Sequence, residues 1–253
     1  MNLSIQNEYR CKSDINLYNS PMCEGLATQA AIDRHLRIVS LTPIENAIAV
    51  RLCEDDYPAW LDRDDLGQLA STKDIYEPAI IDRNTIEARI PEVIAFTEAA
   101  MSVPNRYLWG GTVAPDYDCS GLIQAAFQSQ GILLPRDAYQ QQAFVERISI
   151  EYILPGDLIF FKGNGKIDHV GLHLGDLRYI HSSGVEMGRN GIDIDVLSPH
   201  TEDPFSLAYY AKFHGCGRVV TSYPGIGEEM SNIDSSFQVK RTKIKAIAGS
   251  MNL

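Results

Sequence analysis

The chain has 253 residues, 45% of them hydrophobic, which suffices for one large domain or two modest ones with packed cores. Its 22 basic and 33 acidic side chains give a formal net charge of −11, which repels polyanions and argues against nucleic acid as a partner. Five scattered cysteines form neither a close metal-binding pair nor a disulfide scaffold, and they fit a reducing compartment.

The N-terminal residues lack the basic start and apolar run of a secretory signal. No stretch approaches the ~20 apolar residues that a membrane span requires. The sequence therefore predicts a cytoplasmic protein without a membrane partner.

The first region, residues 1–72, contains short strand-like runs between turn signals, at 15–18, 36–41 and 47–52. This pattern predicts a small β-barrel, which more often docks ligands or shapes a neighbouring cleft than performs chemistry. The polar residues 73–88 carry turn signals and are interpreted as a linker.

The second region, residues 89–221, begins with helical patterns and continues with strands. The predicted helices cover about 90–101 with Pro91 in the first turn, from Cys119 or Ser120 to Gly131, and from Pro135 to about Phe144. The predicted strands are 158–161, 169–174, 178–181 and 191–196. Helices followed by an antiparallel sheet predict an α+β domain. Residues 222–253 lack an apolar period and are expected to form a disordered extension.

A glycine-flanked cysteine provides the strongest chemical signal. Tyr107-Leu108-Trp109-Gly110-Gly111 precedes Asp118-Cys119-Ser120-Gly121, where a loop is predicted to enter a helix. The unpaired N–H groups and the dipole at a helix N-terminus favour a thiolate and can hold an oxyanion. A lone cysteine is otherwise most often a small buried hydrophobe. The glycine-flanked setting favours Cys119 as a nucleophile.

A histidine on a following strand is the candidate proton acceptor. His169 begins a predicted strand, and His181 lies on the next one, where it can hold the imidazole in one tautomer. His173 is an alternative base, although its place in mid-strand favours a structural role. Cysteine and two histidines can also bind zinc, but the set lacks a close pair and a fourth ligand. We therefore expect a Cys119–His169–His181 triad with no metal and no cofactor.

Several motifs in order resemble the NlpC-type cell-wall cysteine peptidases. They are 107–127, Pro155-Gly156-Asp157-Leu158, Asp168-His169-Val170-Gly171 and Tyr179-Ile180-His181-Ser182. The resemblance implies a papain-like fold with Cys119 as nucleophile, His169 as base, His181 as the orienting residue and Tyr107 near the nucleophile. It also implies peptidoglycan peptides as substrates, cut between γ-linked D-glutamate and a diamino acid.

The first region is similar to the bacterial SH3-like domains fused to such peptidases. Its segment 52–61 resembles the version in γ-D-glutamyl-L-diamino acid endopeptidases. By this analogy the barrel closes one end of the cleft, so that only peptides with a free N-terminal L-alanine fit. Tyr57 and Asp118 would bind the alanine ammonium, with Ser120 and Tyr107 completing the substrate site. Asp118 can equally be a helix N-cap, and Trp60 is expected to pack in the barrel.

The sequence therefore favours a cysteine endopeptidase that acts in cell-wall recycling. Two alternatives stay open: a thiol acyltransferase or amidase on the same scaffold, and a non-catalytic wall-binding protein. The sequence does not determine the diamino acid or the oligomeric state.

Overall fold

The structure is a computed structural model that describes residues 3–72 and 75–225. The first region forms one antiparallel sheet of seven strands in the order β3-β2-β6-β5-β4-β1-β7. The strands are β1 Glu8–Cys11, β2 Ile15–Tyr18, β3 Leu26–Ala30, β4 His35–Ile38, β5 Ala47–Leu52, β6 Pro58–Asp62 and β7 Leu69–Ser71.

Alternating apolar residues give this sheet its core. Tyr9 and Cys11 of β1 are buried whereas Arg10 between them is exposed, as a two-residue period requires. Trp60 lies outside that core, where it is buried against Ala47 and Ala49 in a smaller cluster. Its packing role is confirmed.

The prediction of a barrel is wrong, because the sheet does not close. Strands β3 and β7 stand at opposite ends of the strand order. The β3 edge is covered instead by the second region: the Gln29 amide oxygen accepts from the Thr112 N–H at 3.0 Å, and Thr112 Oγ1 donates to the Gln29 carbonyl at 2.9 Å. Covering the edge in this way removes the need to close the sheet.

The first helix, α1 Arg83–Met101, begins earlier than predicted. Its N-cap is Asp82, whose carboxylate accepts from the Thr85 N–H at 2.9 Å. Pro91 therefore lies inside the helix and not in its first turn, and residues 83–88 of the predicted linker are helical. Among its apolar residues Ile86 and Val93 are buried in the core of the second region.

The remaining elements form helices on a six-stranded antiparallel sheet of order β10-β15-β11-β12-β13-β14, which confirms the α+β arrangement. They are β8 Thr112–Val113, β9 Asp116–Tyr117, α2 Cys119–Ser129, α3 Ala138–Phe144, β10 Glu146–Ile148, β11 Leu158–Gly163, β12 Lys166–Gly175, β13 Arg178–Ser183, β14 Gly191–Val196, α4 Pro204–Tyr210 and β15 Phe213–Arg218. Helix α2 packs on one face of the sheet, through Leu122 and Phe127. The opposite face buries Phe161 and Tyr179 against Tyr209 of α4.

The chain after β15 returns to the helices. The Ser222 hydroxyl accepts from the Leu133 N–H at 2.9 Å, and the Tyr223 ring packs edge-on against Phe144 at 5.3 Å. The rest of the predicted disordered extension, 226–253, lies outside the described residues. In the described ranges, no helix combines the length and apolarity needed to cross a bilayer.

Candidate active site

The nucleophile turn is built by close backbone packing. Gly110 has φ of 82°, and a Cβ there would lie 2.7 Å from the Leu26 carbonyl oxygen of β3. A Cβ at Gly121 would lie 2.0 Å from the Gly111 carbonyl oxygen. Only glycine permits both approaches, so these residues bring the loop before α2 against both the helix and the N-terminal sheet.

Cys119 is the first residue of α2, as predicted, and is 6% exposed. Its Sγ lies 3.9 Å from the carbonyl oxygen of Asp168, which directly precedes His169. Burial, reinforced by the Asp118 carboxylate, raises the thiol pKa to about 12, although N–H groups of Val170 and Ser120 favour the thiolate. The helix N-terminus alone predicted a thiolate, but burial outweighs it. A thiol with this pKa needs a base to take its proton before it can act as a nucleophile.

Two histidines and an aspartate form a hydrogen-bonded row across β12, β13 and β14. His169 Nε2 lies 2.7 Å from His181 Nδ1, and His181 Nε2 lies 2.9 Å from Asp195 Oδ2. His181 and Asp195 are fully buried, and His169 is 9% exposed. The adjacent strands thus bring together the two histidines that the sequence singled out, with Asp195 behind them.

His169 is held as a neutral imidazole. Burial above all lowers its pKa well below the usual range, and repulsion from the Lys212 ammonium adds to the effect while Asp195 opposes it. The Tyr209 ring stacks on the imidazole with centroids 4.7 Å apart. A neutral, rigidly packed imidazole can accept a proton.

His173, the alternative base, lies on the same strand but is 3% exposed and cross-strand from Tyr179. Within 3–72 and 75–225, neither of its ring nitrogens has a hydrogen-bond partner. It lacks the orienting contacts that His169 makes. No cluster of three or more His, Cys, Asp or Glu side chains suited to a metal ion occurs in these ranges.

Asp118 lies at the centre of a second buried network. As N-cap of α2, its Oδ1 accepts from the Gly121 N–H at 2.6 Å, while Oδ2 accepts from the Gly110 N–H at 2.9 Å. Arg136 donates to both oxygens, at 3.1 and 2.6 Å. Arg136 also donates to Ser120 Oγ at 3.0 Å. The carboxylate therefore has the capping role that the sequence left open, together with an ion pair that the sequence did not indicate.

Comparison with known families assigns both regions. Residues 104–205 match the model of the NlpC/P60 family, and residues 17–66 match that of the bacterial dipeptidyl-peptidase SH3 domain. The chain combines an NlpC/P60 domain with a bacterial dipeptidyl-peptidase SH3 domain.

Two curated proteins and one solved structure are similar to this chain. The chain is 30% identical over 174 residues to the γ-D-glutamyl-L-lysine dipeptidyl-peptidase of Bacillus cereus, covering 67% of this chain and 47% of that protein. It is 36% identical over 95 residues to the Bacillus subtilis enzyme of the same name, covering 36% and 30%. A crystal structure of an NlpC/P60 family protein from Bacillus cereus aligns with 85% of this chain and 63% of its own, at 24% identity and a TM-score of 0.45. The chain thus spans about half or less of the length of the curated relatives it matches.

Two half-buried tyrosines are further candidates for the substrate site. Tyr57 of the SH3 domain donates its hydroxyl to Asp137 Oδ1 of the NlpC/P60 domain at 3.4 Å. Tyr107 bridges to Tyr117 through its backbone, and burial followed by the nearby Cys119 and Asp118 raises the pKa of its hydroxyl. Burial raises the pKa of the Tyr57 hydroxyl as well, so both hydroxyls stay protonated. The Tyr57 proton is donated to Asp137, which leaves its oxygen as an acceptor for a substrate N–H, whereas Tyr107 can donate to a substrate.

Sequence reasoning missed Arg136, Asp195 and Tyr209 in the NlpC/P60 domain. Isoleucine and aspartate alternate along β14, and Asp195 is the buried one of the two aspartates. A buried carboxylate needs a hydrogen-bond or ion-pair partner. Arg136 follows an apolar run and is 2% exposed, so it too needed a buried acid. Tyr209 carries no local signal, since only the packing of α4 brings it to His169.

Proposed function

We propose that the protein is a cysteine endopeptidase that hydrolyses the γ-D-glutamyl-L-diamino acid bond of peptidoglycan peptides. The observation that carries this proposal is a neutral, oriented His169 together with Cys119 at the N-terminus of α2, whose Sγ lies 3.9 Å from the carbonyl oxygen of the residue before His169. A cysteine at the start of α2, which packs on the antiparallel sheet that carries His169, also supports the papain-like fold assignment. The γ-D-glutamyl-L-lysine peptidases among the relatives suggest the bond that is cleaved.

The residues support an acyl-enzyme route. As the Cys119 sulfur attacks the γ-carbonyl of D-glutamate, His169 takes the thiol proton, and then donates it to the departing amine of the diamino acid. Water, deprotonated by His169, next cleaves the thioester and releases the γ-carboxylate and the thiol. The N–H groups at the start of α2 are placed to stabilise the oxyanion.

An excess of negative charge between the two domains supports a requirement for a free N-terminal amine. Among the described residues the linked cluster has four carboxylates, two guanidinium groups and one imidazole: Glu54, Asp55, Asp118, Asp137, Arg34, Arg136 and His35. Even with a protonated His35 the carboxylates outnumber the cations. Burial above all, with Asp118 and Asp55 adding repulsion, raises the pKa of Asp137 even though Arg136 lies beside it. A substrate ammonium near Tyr57, Asp118 and Asp137 would compensate this charge. Ser120 and Tyr107 complete the proposed substrate site.

The test is to incubate the protein with L-Ala-γ-D-Glu-diaminopimelate and with its N-acetylated analogue, and to follow products by mass spectrometry. We expect L-Ala-D-Glu and diaminopimelate from the free peptide, and much slower cleavage of the blocked one. Cys119→Ala should abolish turnover, whereas Cys23→Ser, a half-buried cysteine in the SH3 domain, should retain it.

Each other outcome contradicts part of the proposal. Equal cleavage of both peptides would remove the ammonium role of Tyr57 and Asp118. Products joined to an added amine would indicate an acyltransferase. No cleavage by the wild type, or full activity in Cys119→Ala, would refute the peptidase. A role in cell-wall recycling and a cytoplasmic location remain predictions. Cell fractionation tests the location.

A further inference from the structure

Asp195 has more anchoring contacts than packing alone requires. Its Oδ2 faces His181 Nε2 at 2.9 Å, while its Oδ1 accepts from Ser206 Oγ at 2.9 Å and from an Arg189 guanidinium nitrogen. Arg189 is itself paired with Asp203 and lies 4.9 Å from the Phe205 ring. Helix α4 therefore fixes which oxygen of Asp195 points at His181.

These contacts determine where the imidazole protons lie. An ionised carboxylate only accepts hydrogen bonds, so His181 Nε2 must carry the proton directed at Asp195. In a neutral His181 the other nitrogen, Nδ1, is then an acceptor. Because His169 Nε2 lies 2.7 Å from that atom, it must be the donor. The lone pair of His169 is thereby left on Nδ1.

Other proton arrangements leave no base. A doubly protonated His181 would donate from Nδ1 to His169 Nε2, and a neutral His169 would then carry its proton on Nδ1. That atom could not accept the proton of Cys119. The peptidase proposed above requires an ionised Asp195 and two neutral histidines that are each protonated on Nε2. Only this arrangement leaves a free lone pair on His169 Nδ1.

We propose that Asp195 is a positioning residue that sets the tautomers of His181 and His169, so that His169 Nδ1 is the atom that deprotonates Cys119. The choice of the neutral arrangement rests on the proposed function, but the tautomers can be measured without any enzymatic activity. Asp195 touches no substrate and acts through His181.

Asp195→Asn is the decisive variant. Ser206 and Arg189 hold the Oδ1 position as an acceptor, so the amide nitrogen must replace Oδ2 and face His181. An NH₂ group donates where the carboxylate accepted, which forces His181 to carry its proton on Nδ1 and His169 to carry its own on Nδ1. We expect kcat/KM for the free tripeptide to fall by about 10²- to 10⁴-fold with little change in KM.

The matched control is Asp193→Asn. Asp193 lies on the same strand and pairs with the same Arg189 at 3.5 Å, but its side chain is 48% exposed, whereas that of Asp195 is fully buried. It loses the same charge without changing the hydrogen bond to His181. Its kcat/KM should stay within about twofold of the wild type.

Tautomers are measured by ¹⁵N NMR of histidine-labelled protein, which identifies the protonated nitrogen of each ring without any substrate. The wild type should show Nε2–H on both histidines, and Asp195→Asn should show Nδ1–H on both. If the wild type is inactive on peptides but shows these tautomers, the proposed function fails and the role of Asp195 stands.

Four results would overturn the role of Asp195. The first is Nδ1–H on His169 or an imidazolium at His181 in the wild type. The second and third are unchanged tautomers in Asp195→Asn and full activity of that variant. The fourth is a loss of kcat/KM in Asp193→Asn equal to the loss in Asp195→Asn. The wild-type spectrum alone tests the inference if Asp195→Asn does not fold.

Discussion

Two buried polar networks adjoin the active site, and they differ in what they connect. The nucleophile network joins Asp118 and Ser120 of the α2 turn to Arg136, which also donates to Thr28 of the SH3 domain at 2.9 Å. The base network runs from His169 through His181 to Asp195 and stays within the NlpC/P60 domain. One network spans the domain interface, and the other does not.

The difference indicates how the proposed nucleophile and the proposed base are each positioned. The base is held by neighbouring strands of one sheet, whose register fixes the hydrogen bonds. The nucleophile turn is held partly by an arginine that reaches across to β3. Disturbing the domain interface should therefore affect the nucleophile and the overall stability more than the base.

The largest effect is expected from Arg136→Met. This change leaves the Asp118 carboxylate buried without its cation, which costs about 3 to 5 kcal/mol in the free energy of unfolding. It should also lower kcat/KM, because Asp118 caps the helix that carries Cys119. Urea unfolding measures the first quantity and peptide cleavage the second.

An exposed arginine on a nearby loop provides the control. Arg106 pairs with Asp116 at 3.8 Å and is 77% exposed, so Arg106→Met should cost at most about 1 kcal/mol. If Arg136→Met and Arg106→Met lower the free energy of unfolding by the same amount, the network at the domain interface contributes no more to stability than an exposed ion pair.

A smaller effect is expected from Thr28→Val, which nearly preserves shape but removes the acceptor for Arg136 Nε. The unsatisfied buried donor should cost about 1 to 3 kcal/mol in urea unfolding. Thr42→Val, at an exposed position of the same domain, should change stability by less than about 0.5 kcal/mol. If Thr28→Val is as stable as the wild type, the hydrogen bond from Arg136 to Thr28 does not contribute to the free energy of unfolding. The stabilising contacts of Arg136 would then all lie within the NlpC/P60 domain.

The smallest effect is a shift in pH dependence, and it concerns the base network only. Because the pKa of His169 lies well below the usual range, kcat/KM should stay level as pH falls through 6.5 and decline only at more acidic pH, where the imidazole becomes protonated. Lys212→Met removes a cation that repels that proton, so the pKa of His169 should rise and the decline should begin at higher pH. A pH–rate profile measures the shift.

Lys166→Met, at an exposed position of β12, is the control and should leave the profile unchanged. An acid limb in Lys212→Met identical to that of the wild type would contradict the stated cause of the low pKa.

Local sequence patterns predicted the elements that carry the active site. Asp118 before Cys119 and Gly121 specified the start of α2, because capping and dipole effects act within one helical turn. The short separation of 12 residues between His169 and His181 placed them on consecutive strands, which pair as neighbours in an antiparallel sheet. The start of α1 was wrong because Pro91 was interpreted as a first-turn residue, whereas Asp82 supplies the cap.

The sequence by itself thus determined the helix and strands that carry Cys119, the proposed nucleophile, and His169, the proposed base, since these elements depend on contacts between near neighbours in the chain. Only the tertiary structure decided that the SH3 sheet stays open and that Arg136 contacts Thr28. The same holds for Asp195, held by α4 behind His181. Each of these joins groups far apart in sequence, and a buried charge reveals that it needs a partner without revealing which one.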